Sequence, residues 1–290
     1  MKSTPGSDSS HPCFNNSAQG RWGRIHLPVA PECNIRCNYC NRRYDCTNES
    51  RPGVSSRILQ PRDTVPYLST LLKAGTDISV IGIAGPGDAL CDPERTLETI
   101  REIRRAWPGF LICLSTNGLN LVSHIDELAA SGVTHVTITV NAVDPSVGER
   151  IYAWVRVDGM IYRGRDAAEL LLARQQEALT VLKTKGIAVK VNTVILPGIN
   201  DGHVETIAAT MAEMGVDVMN CLPVMPVADT PFAGLIPPSP DELRRMRIIA
   251  SRHVPQMSHC TRCRSDAVGL LQPDHSQEQP MSSRGALTLY

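Results

Sequence analysis

Apolar residues along this chain fall into short β-branched runs separated by stretches of helical period. Runs at 25–30, 78–84, 110–116, 135–140, 187–195 and 216–224 read as strands. Between them the spacing turns helical, over 93–107, 121–130, 167–185 and 204–214. Asp92 ahead of Pro93 predicts an N-cap with proline at the first helical position. Ser239-Pro240-Asp241-Glu242 predicts a capping box opening the last helix, with Glu242 reaching back to the Ser239 cap. A polar, charged insertion at 144–166 interrupts the rhythm. Residues 1–10 and 272–290 lack periodicity and are expected to be disordered, which leaves 11–271 as the folded domain. Six strands alternating with helices imply a parallel sheet with right-handed crossovers. The same period admits an eight-stranded barrel with outer strands missed, or a doubly wound sheet.

A length of 290 residues suits one large α/β domain. Hydrophobic content of 42% supplies a core, and aromatic content of 4% makes that core aliphatic. Lys+Arg and Asp+Glu balance at 29 each, which argues against nucleic-acid or membrane-surface partners. No apolar run approaches the ~20 residues that span a bilayer, and Met1 opens a polar segment with no signal core, so a cytoplasmic protein is expected. In that compartment ten cysteines point to metal or catalysis rather than disulfides.

Cys33, Cys37 and Cys40 form CxxxCxxC just beyond the first strand, with Tyr39 before the last cysteine. Three thiolates can hold three irons of a [4Fe–4S] cube and leave the fourth open. A structural zinc would want four ligands, usually in paired CxxC elements. Ligands on parallel sheets gather at the carboxyl ends of strands. There the second strand runs into 82–88, where glycines, Gly87 among them, admit a ligand close to the backbone and Asp88 can meet an ammonium. Cys113, Ser115 and Asn117 share one strand face, as do Thr137, Thr139 and Asn141. A polar face on a buried strand needs hydrogen-bonding partners, which a bound ligand can supply. Val189 and Val191 are placed to flank an adenine, with Lys190 and Asn192 facing the other way. His26, alternating with Ile25 and Leu27, can point into a lumen, although a lone histidine there reads first as a core residue. Cys260 and Cys263 form a CxxC that holds half a metal site by itself.

The cysteine triad and glycine-rich turn resemble those of the radical S-adenosylmethionine (SAM) enzymes, whose open iron chelates the amino and carboxylate groups of SAM. The resemblance implies a partial (β/α)6 barrel, and SAM contacts from Tyr39, Gly87, Asp88, Asn117, Thr139 and Val191. Asp88 stands where that family usually has glutamate. A narrower resemblance rests on 11–14 (HPCF), 40–46 (CNRRYDC), 195–201 (ILPGIND) and the closing 260–269 (CTRCRSDAVG). Together these resemble the NifB family of radical SAM maturases, which build a precursor of the nitrogenase iron–molybdenum cofactor; the likeness runs from His11 to Leu271. It implies three [4Fe–4S] clusters: one on Cys33, Cys37 and Cys40, one on His26, Cys46 and Cys113 with Glu49 as a further oxygen ligand, and one on Cys13, Cys260 and Cys263. The cysteine-bearing extensions would then lie at the barrel mouth. The implied reaction fuses two clusters, with a carbide derived from SAM, into an eight-iron precursor. Implied partners are SAM, iron–sulfur cluster donors and a downstream carrier or scaffold of nitrogenase assembly, with no nucleic acid and no membrane. Family members commonly continue into a carrier-type domain, whereas this sequence ends in a short tail, as a short or a cut form would. Cys91 and Cys221 receive no role. Two alternatives stay open: another radical SAM maturase, which would not need His26 or Cys13, and a non-enzymatic scaffold or carrier, which would not need the glycine-rich turn.

Overall fold

The computed structural model describes residues 10–73 and 77–271; of the ends predicted to be disordered, 1–10 and 272–290, all but Ser10 lie outside the described residues. Ser10 is buried, and its carbonyl accepts a hydrogen bond from Ser79 Oγ. Six strands pair in parallel in the order β1 (Gly23–His26), β3 (Ile78–Ile83), β4 (Leu111–Thr116), β5 (Val133–Thr139), β8 (Ala188–Ile195) and β9 (Val218–Pro223). This is the predicted strand set, curled into a partial barrel. One face of every strand is aliphatic, including Ile25, Ile81, Ile112, Leu114, Val136, Ile138, Val189, Val191 and Met219, all fully buried. Against it pack Leu68 of α1 (Thr64–Leu72), Ile100 of α2 (Pro93–Ala106), Leu128 of α3 (Ile125–Ala130), Leu179 of α5 (Gly164–Thr184), Ile207 of α6 (Val204–Glu213) and Ala250 of α7 (Pro240–Ala250). Each large aliphatic side chain buried this way stabilises the fold by roughly 1.5–3 kcal/mol, which fixes which face turns outward. The inner face is left to Arg24, His26, Cys113, Ser115, Thr137, Thr139, Lys190, Asn192 and Asn220.

Both predicted helix starts are observed. Asp92 accepts from the Arg95 amide, and Ser239 with Glu242 completes the capping box of α7. Helix α1 was not expected from the sequence. The 144–166 insertion is also more ordered than its polarity suggests. Asp144 caps α4 (Pro145–Ile151), and β6 (Tyr152–Val157) turns back into β7 (Met160–Tyr162) through Asp158-Gly159, both at positive φ. Asp-Gly is a strong hairpin signal, because both residues must adopt left-handed conformations. β2 (Ile35–Cys37) joins this hairpin as a second, antiparallel sheet, with Cys37 opposite Tyr152. The insertion thus holds the cysteine loop from behind.

Both terminal extensions pack against the open barrel. His11 and Phe14 stack with His135, near the amino end of β5. The C-terminal run bridges the two edges of the open sheet. It follows β9, where Met219 donates to the Pro255 carbonyl and the Met257 amide to that of Met219, and then reaches β1 through antiparallel β10 (Val268–Gly269). An unpaired strand edge exposes its peptide groups, and this run covers the edge of β1.

The 195–201 segment owes its order to Asn200. Its side chain, fully buried, accepts from the Leu196 amide and donates to the Asn141 and Val194 carbonyls. Asn200→Ala leaves these groups unpaired and is expected to lower stability by about 2–4 kcal/mol, read from chemical unfolding. Wild-type stability in that variant would show that the turn holds without it.

Candidate metal centre

Two adjoining chambers occupy the barrel interior. The first lies at the carboxyl ends of the strands, lined by Cys33, Cys37, Cys40, Arg42, Cys46, Asn48, Glu49, Gly87, Asp88, Asn117 and Thr139. Burial first, then the nearby Asp88 carboxylate, pushes the Cys33 thiol well above its usual range. Burial and Cys40 push Cys37 up to about 12. Such thiols ionise only when a cation binds them. Asn117 Nδ2 lies 4.0 Å from Cys33 Sγ and Asn48 Nδ2 3.9 Å from Cys37 Sγ, so amide donors are directed at both sulfurs. Arg42 donates to the carbonyls of Pro31 and Pro86 at 2.7 and 3.0 Å, placing its charge on the loop. Three soft donors, Cys37 and Cys40 buried and Cys33 half-buried, beside a fixed cation fit an iron–sulfur cluster. Among the described residues no three His, Cys, Asp or Glu side chains converge as ligands of one metal ion would; the ligands of a cubic cluster bind different irons and stand further apart.

The predicted SAM contacts divide. Gly87, Asp88, Asn117 and Thr139 line the first chamber. Tyr39 does not: it is fully buried behind it, donating to Asn48 Oδ1 at 2.6 Å and accepting from Asn141 Nδ2 at 2.7 Å. The expected Val191 contact is also displaced. Val191 and Val189 belong to the outer aliphatic core, while Lys190 and Asn192 face the interior, because alternation lets only one set do so. The Asp88 carboxylate, raised in pKa by burial, accepts from the Leu90 and Asn117 amides and the Thr116 hydroxyl. Three donors nearly fill its acceptor positions, so it acts on the chamber mainly through charge. From α5, Gln175 donates to the Asn117 and Thr139 carbonyls and ties those strand ends together.

Gly87 packs so closely on Ala30 and Glu32 that a Cβ would strike the Glu32 carbonyl. Gly87→Ala is expected to push the turn away from the cysteine loop, costing about 1–3 kcal/mol and emptying the triad of iron. A variant with wild-type stability and iron content would show that this approach is not required.

The second chamber lies deeper and gathers Cys13, His26, Cys113, Cys260 and Cys263, together with Arg24, Lys190 and Arg262. The family resemblance groups Cys46 with His26 and Cys113. The structure puts Cys46 on the wall of the first chamber, while Glu49 borders both. Thr139 Oγ1 and Asn192 Nδ2 donate to the Glu49 oxygens, and burial pushes its pKa up to about 6. His26 Nδ1 lies 3.1 Å from the Arg264 carbonyl, so it can donate there and leave Nε2 as a lone-pair donor. Burial, then Arg24, drives its pKa down to about 4, which keeps the ring neutral. Gly82 makes room for that ring: a Cβ there would sit 3.1 Å from His26 Cδ2. Burial pushes Cys113 up to about 12 and Cys13 up to about 11. Cys263 Sγ accepts from Arg24 Nη2 at 2.8 Å, and His259 Nε2 lies 2.7 Å from the Pro12 carbonyl, joining the two termini. The Lys190 pKa is raised: burial would lower it, and Cys13, Cys113 and Cys260, as thiolates, outweigh that effect. Cys221 is core, and Cys91 lines neither chamber.

Residues 27–211 match the radical SAM superfamily. The chain is 51% identical to the FeMo cofactor biosynthesis protein NifB of Chlorobaculum tepidum, over 93% of this chain and 63% of that protein. It is 44% identical to that of Klebsiella pneumoniae, over 93% and 58%. The chain therefore spans less than two-thirds of the length of these relatives. Among solved structures, the radical S-adenosylmethionine methyltransferase TsrM from Kitasatospora setae superposes with a TM-score of 0.52 at 17% identity, over 76% of this chain and 40% of that one. Methylornithine synthase (PylB) superposes with a TM-score of 0.53 at 15% identity, over 88% and 77%. Identities this low speak to the fold, and the fold they share is the partial barrel. The chain belongs to the radical SAM superfamily, which implies SAM and a [4Fe–4S] cluster, and within it is similar to the NifB proteins.

Proposed function

We propose that this chain is a radical SAM enzyme of nitrogenase cofactor assembly that joins two [4Fe–4S] clusters and a carbon from SAM into an eight-iron precursor. The observation that carries this reading is the pair of chambers sharing Glu49: one bears the triad, the other Cys13, His26, Cys113, Cys260 and Cys263. A cluster held by Cys33, Cys37 and Cys40 would supply the electron that cleaves one SAM to methionine and a 5′-deoxyadenosyl radical, while another SAM would give its methyl group to a cluster sulfide by displacement, leaving S-adenosylhomocysteine. The chain's own residues bind, orient and screen. Asn117 and Thr139 offer polar contacts at the strand ends, Asp88 supplies negative charge toward an ammonium, and β2, β6 and β7 cover the cysteine loop against water. His26, Cys113, Cys13, Cys260 and Cys263 hold the substrate clusters, and Cys46, on the first chamber's wall, draws one of them toward SAM. Cluster donors would feed the second chamber, and a downstream carrier would take the product. Among the described residues no helix is long and apolar enough to cross a membrane.

Iron and sulfide counting on anaerobically reconstituted protein tests the reading. About twelve irons per chain are expected from three cubes, and a plateau at about four would overturn it. His26 gives a sharper check. In the reduced protein, pulsed EPR is expected to show nitrogen coupling to a second-chamber cluster, lost in His26→Ala and lost from wild type after turnover. Coupling that persists in His26→Ala would return His26 to the role of a hydrogen-bonded core residue.

A further inference from the structure

Three buried cations face the second chamber from three separate elements: Arg24 on β1, Lys190 on β8, and Arg262 on the C-terminal run. The chamber lining carries one carboxylate against them, Glu49. Arg24 is largely engaged, with Nη1 on the Gly269 and Leu270 carbonyls and Nη2 on Cys263 Sγ. Arg262 is not. It is 7% exposed, only its Nη2 donates, to the Pro223 carbonyl at 2.8 Å, and its buried Nε and Nη1 have no hydrogen-bond partner. Its φ of +55° is left-handed, a conformation that costs a non-glycine residue roughly 1–3 kcal/mol and persists only where its surroundings impose it. That turn, between Cys260 and Cys263, puts the guanidinium on the chamber wall. Lys190, 8% exposed and on the wall of the same chamber, holds its ammonium 5.6 Å from the centre of the Phe14 ring. A buried charged donor without an acceptor is expensive, so Arg262 calls for an anionic guest, and the Lys190 ammonium adds its charge to the same space.

We infer that Lys190 and Arg262 form a clamp for the anionic sulfide face of an iron–sulfur cluster in the second chamber, positioning the cluster without bonding to its iron. The inference rests on the function proposed above. A thiolate-held cluster carries net negative charge, and its sulfides accept N–H donors. Both features set its potential, and charge-assisted hydrogen bonds are the stronger kind. Such a clamp keeps hold of the substrate when thiolate and imidazole ligands release it, which fusion requires. Both are positioning residues: Lys190 supplies charge from the sheet, and Arg262 a forked donor from the C-terminal run.

The test uses full-length protein reconstituted anaerobically as wild type, Lys190→Met, Arg262→Gln and Arg262→Lys. Three quantities are read: iron per chain, the midpoint potentials of the clusters by EPR-monitored titration, and the rate of iron loss to a chelator. Added SAM shifts the spectrum of the triad cluster, which identifies it and shows that each variant has folded. Lys190→Met and Arg262→Gln are expected to move the second-chamber potentials more negative and to speed chelator release roughly tenfold, the effect of losing a charged hydrogen bond. Arg262→Lys keeps the charge and is expected to restore the potential while release stays fast. Full iron with wild-type potentials and release rates in both neutral variants would overturn the clamp alone. Wild type that takes up only the iron of the triad would overturn the proposed function, and the clamp with it. If Arg262→Gln does not fold, Lys190→Met decides, since methionine preserves the bulk of the side chain on β8.

Discussion

Cys37→Ala is expected to abolish SAM cleavage and to remove about four irons per chain, the content of one cube. Cys37 ends β2 and is paired with Tyr152 on β6, so its backbone is held by the second sheet whatever its side chain does. Alanine fits the same strand position and leaves only a small void. The variant should therefore fold and fail for one reason: Cys33 and Cys40 by themselves cannot hold a cube in register. Because the second-chamber donors lie on other elements, their clusters should stay. Chromatographic detection of 5′-deoxyadenosine after reduction with SAM, together with an iron assay, checks both halves. Wild-type 5′-deoxyadenosine from Cys37→Ala would overturn the triad assignment, and loss of all iron would show that the chambers fill together.

The double substitution of Cys260 and Cys263 by serine is expected to keep SAM cleavage, to remove about four irons and to eliminate the eight-iron product. Serine preserves an acceptor where Arg24 Nη2 reaches Cys263 Sγ, and it leaves the His259 contact with the Pro12 carbonyl in place. Truncation before His259 would be a poorer experiment. It removes β10 from the β1 edge, takes Ala267 from the His26 amide, and strips Ser265 from buried Asp45, which also receives Ser55 Oγ. Asp45 directly precedes Cys46, so truncation would disturb the first chamber as well. Mass and EPR analysis of the extracted cluster decides the outcome: a transferable eight-iron product from the double variant would show that the pair is dispensable.

Both variants lean on positions that differ in how readable they were. The triad announced itself, because cluster ligands must be cysteines at short spacing on one loop. His26 was readable by alternation alone, while its neutral state depends on Arg24 and on the Arg264 carbonyl, over two hundred residues away in sequence. Arg262 carried no signal at all, since an arginine between two cysteines reads as a solvated charge until the fold buries it. The β6–β7 hairpin was legible in Asp158-Gly159, but the high polarity around it masked the signal. Helix α1 is short, and the Thr64–Leu72 stretch that forms it gains its stability by packing on α2.

Strand alternation, capping residues and cysteine spacing are local properties, set by backbone sterics and by side chains within a few positions. They determined the alternating α/β order, which face of each strand is aliphatic, and the triad. The tertiary structure decided what long-range pairing must decide: that Val191 faces the core and Lys190 the lumen, that Cys46 and Cys113 border different chambers, and that the C-terminal run closes the gap between β9 and β1. Those outcomes follow from burying the aliphatic face of every strand at once. That requirement curls the sheet and gathers on its inner side polar and charged groups that are far apart in sequence.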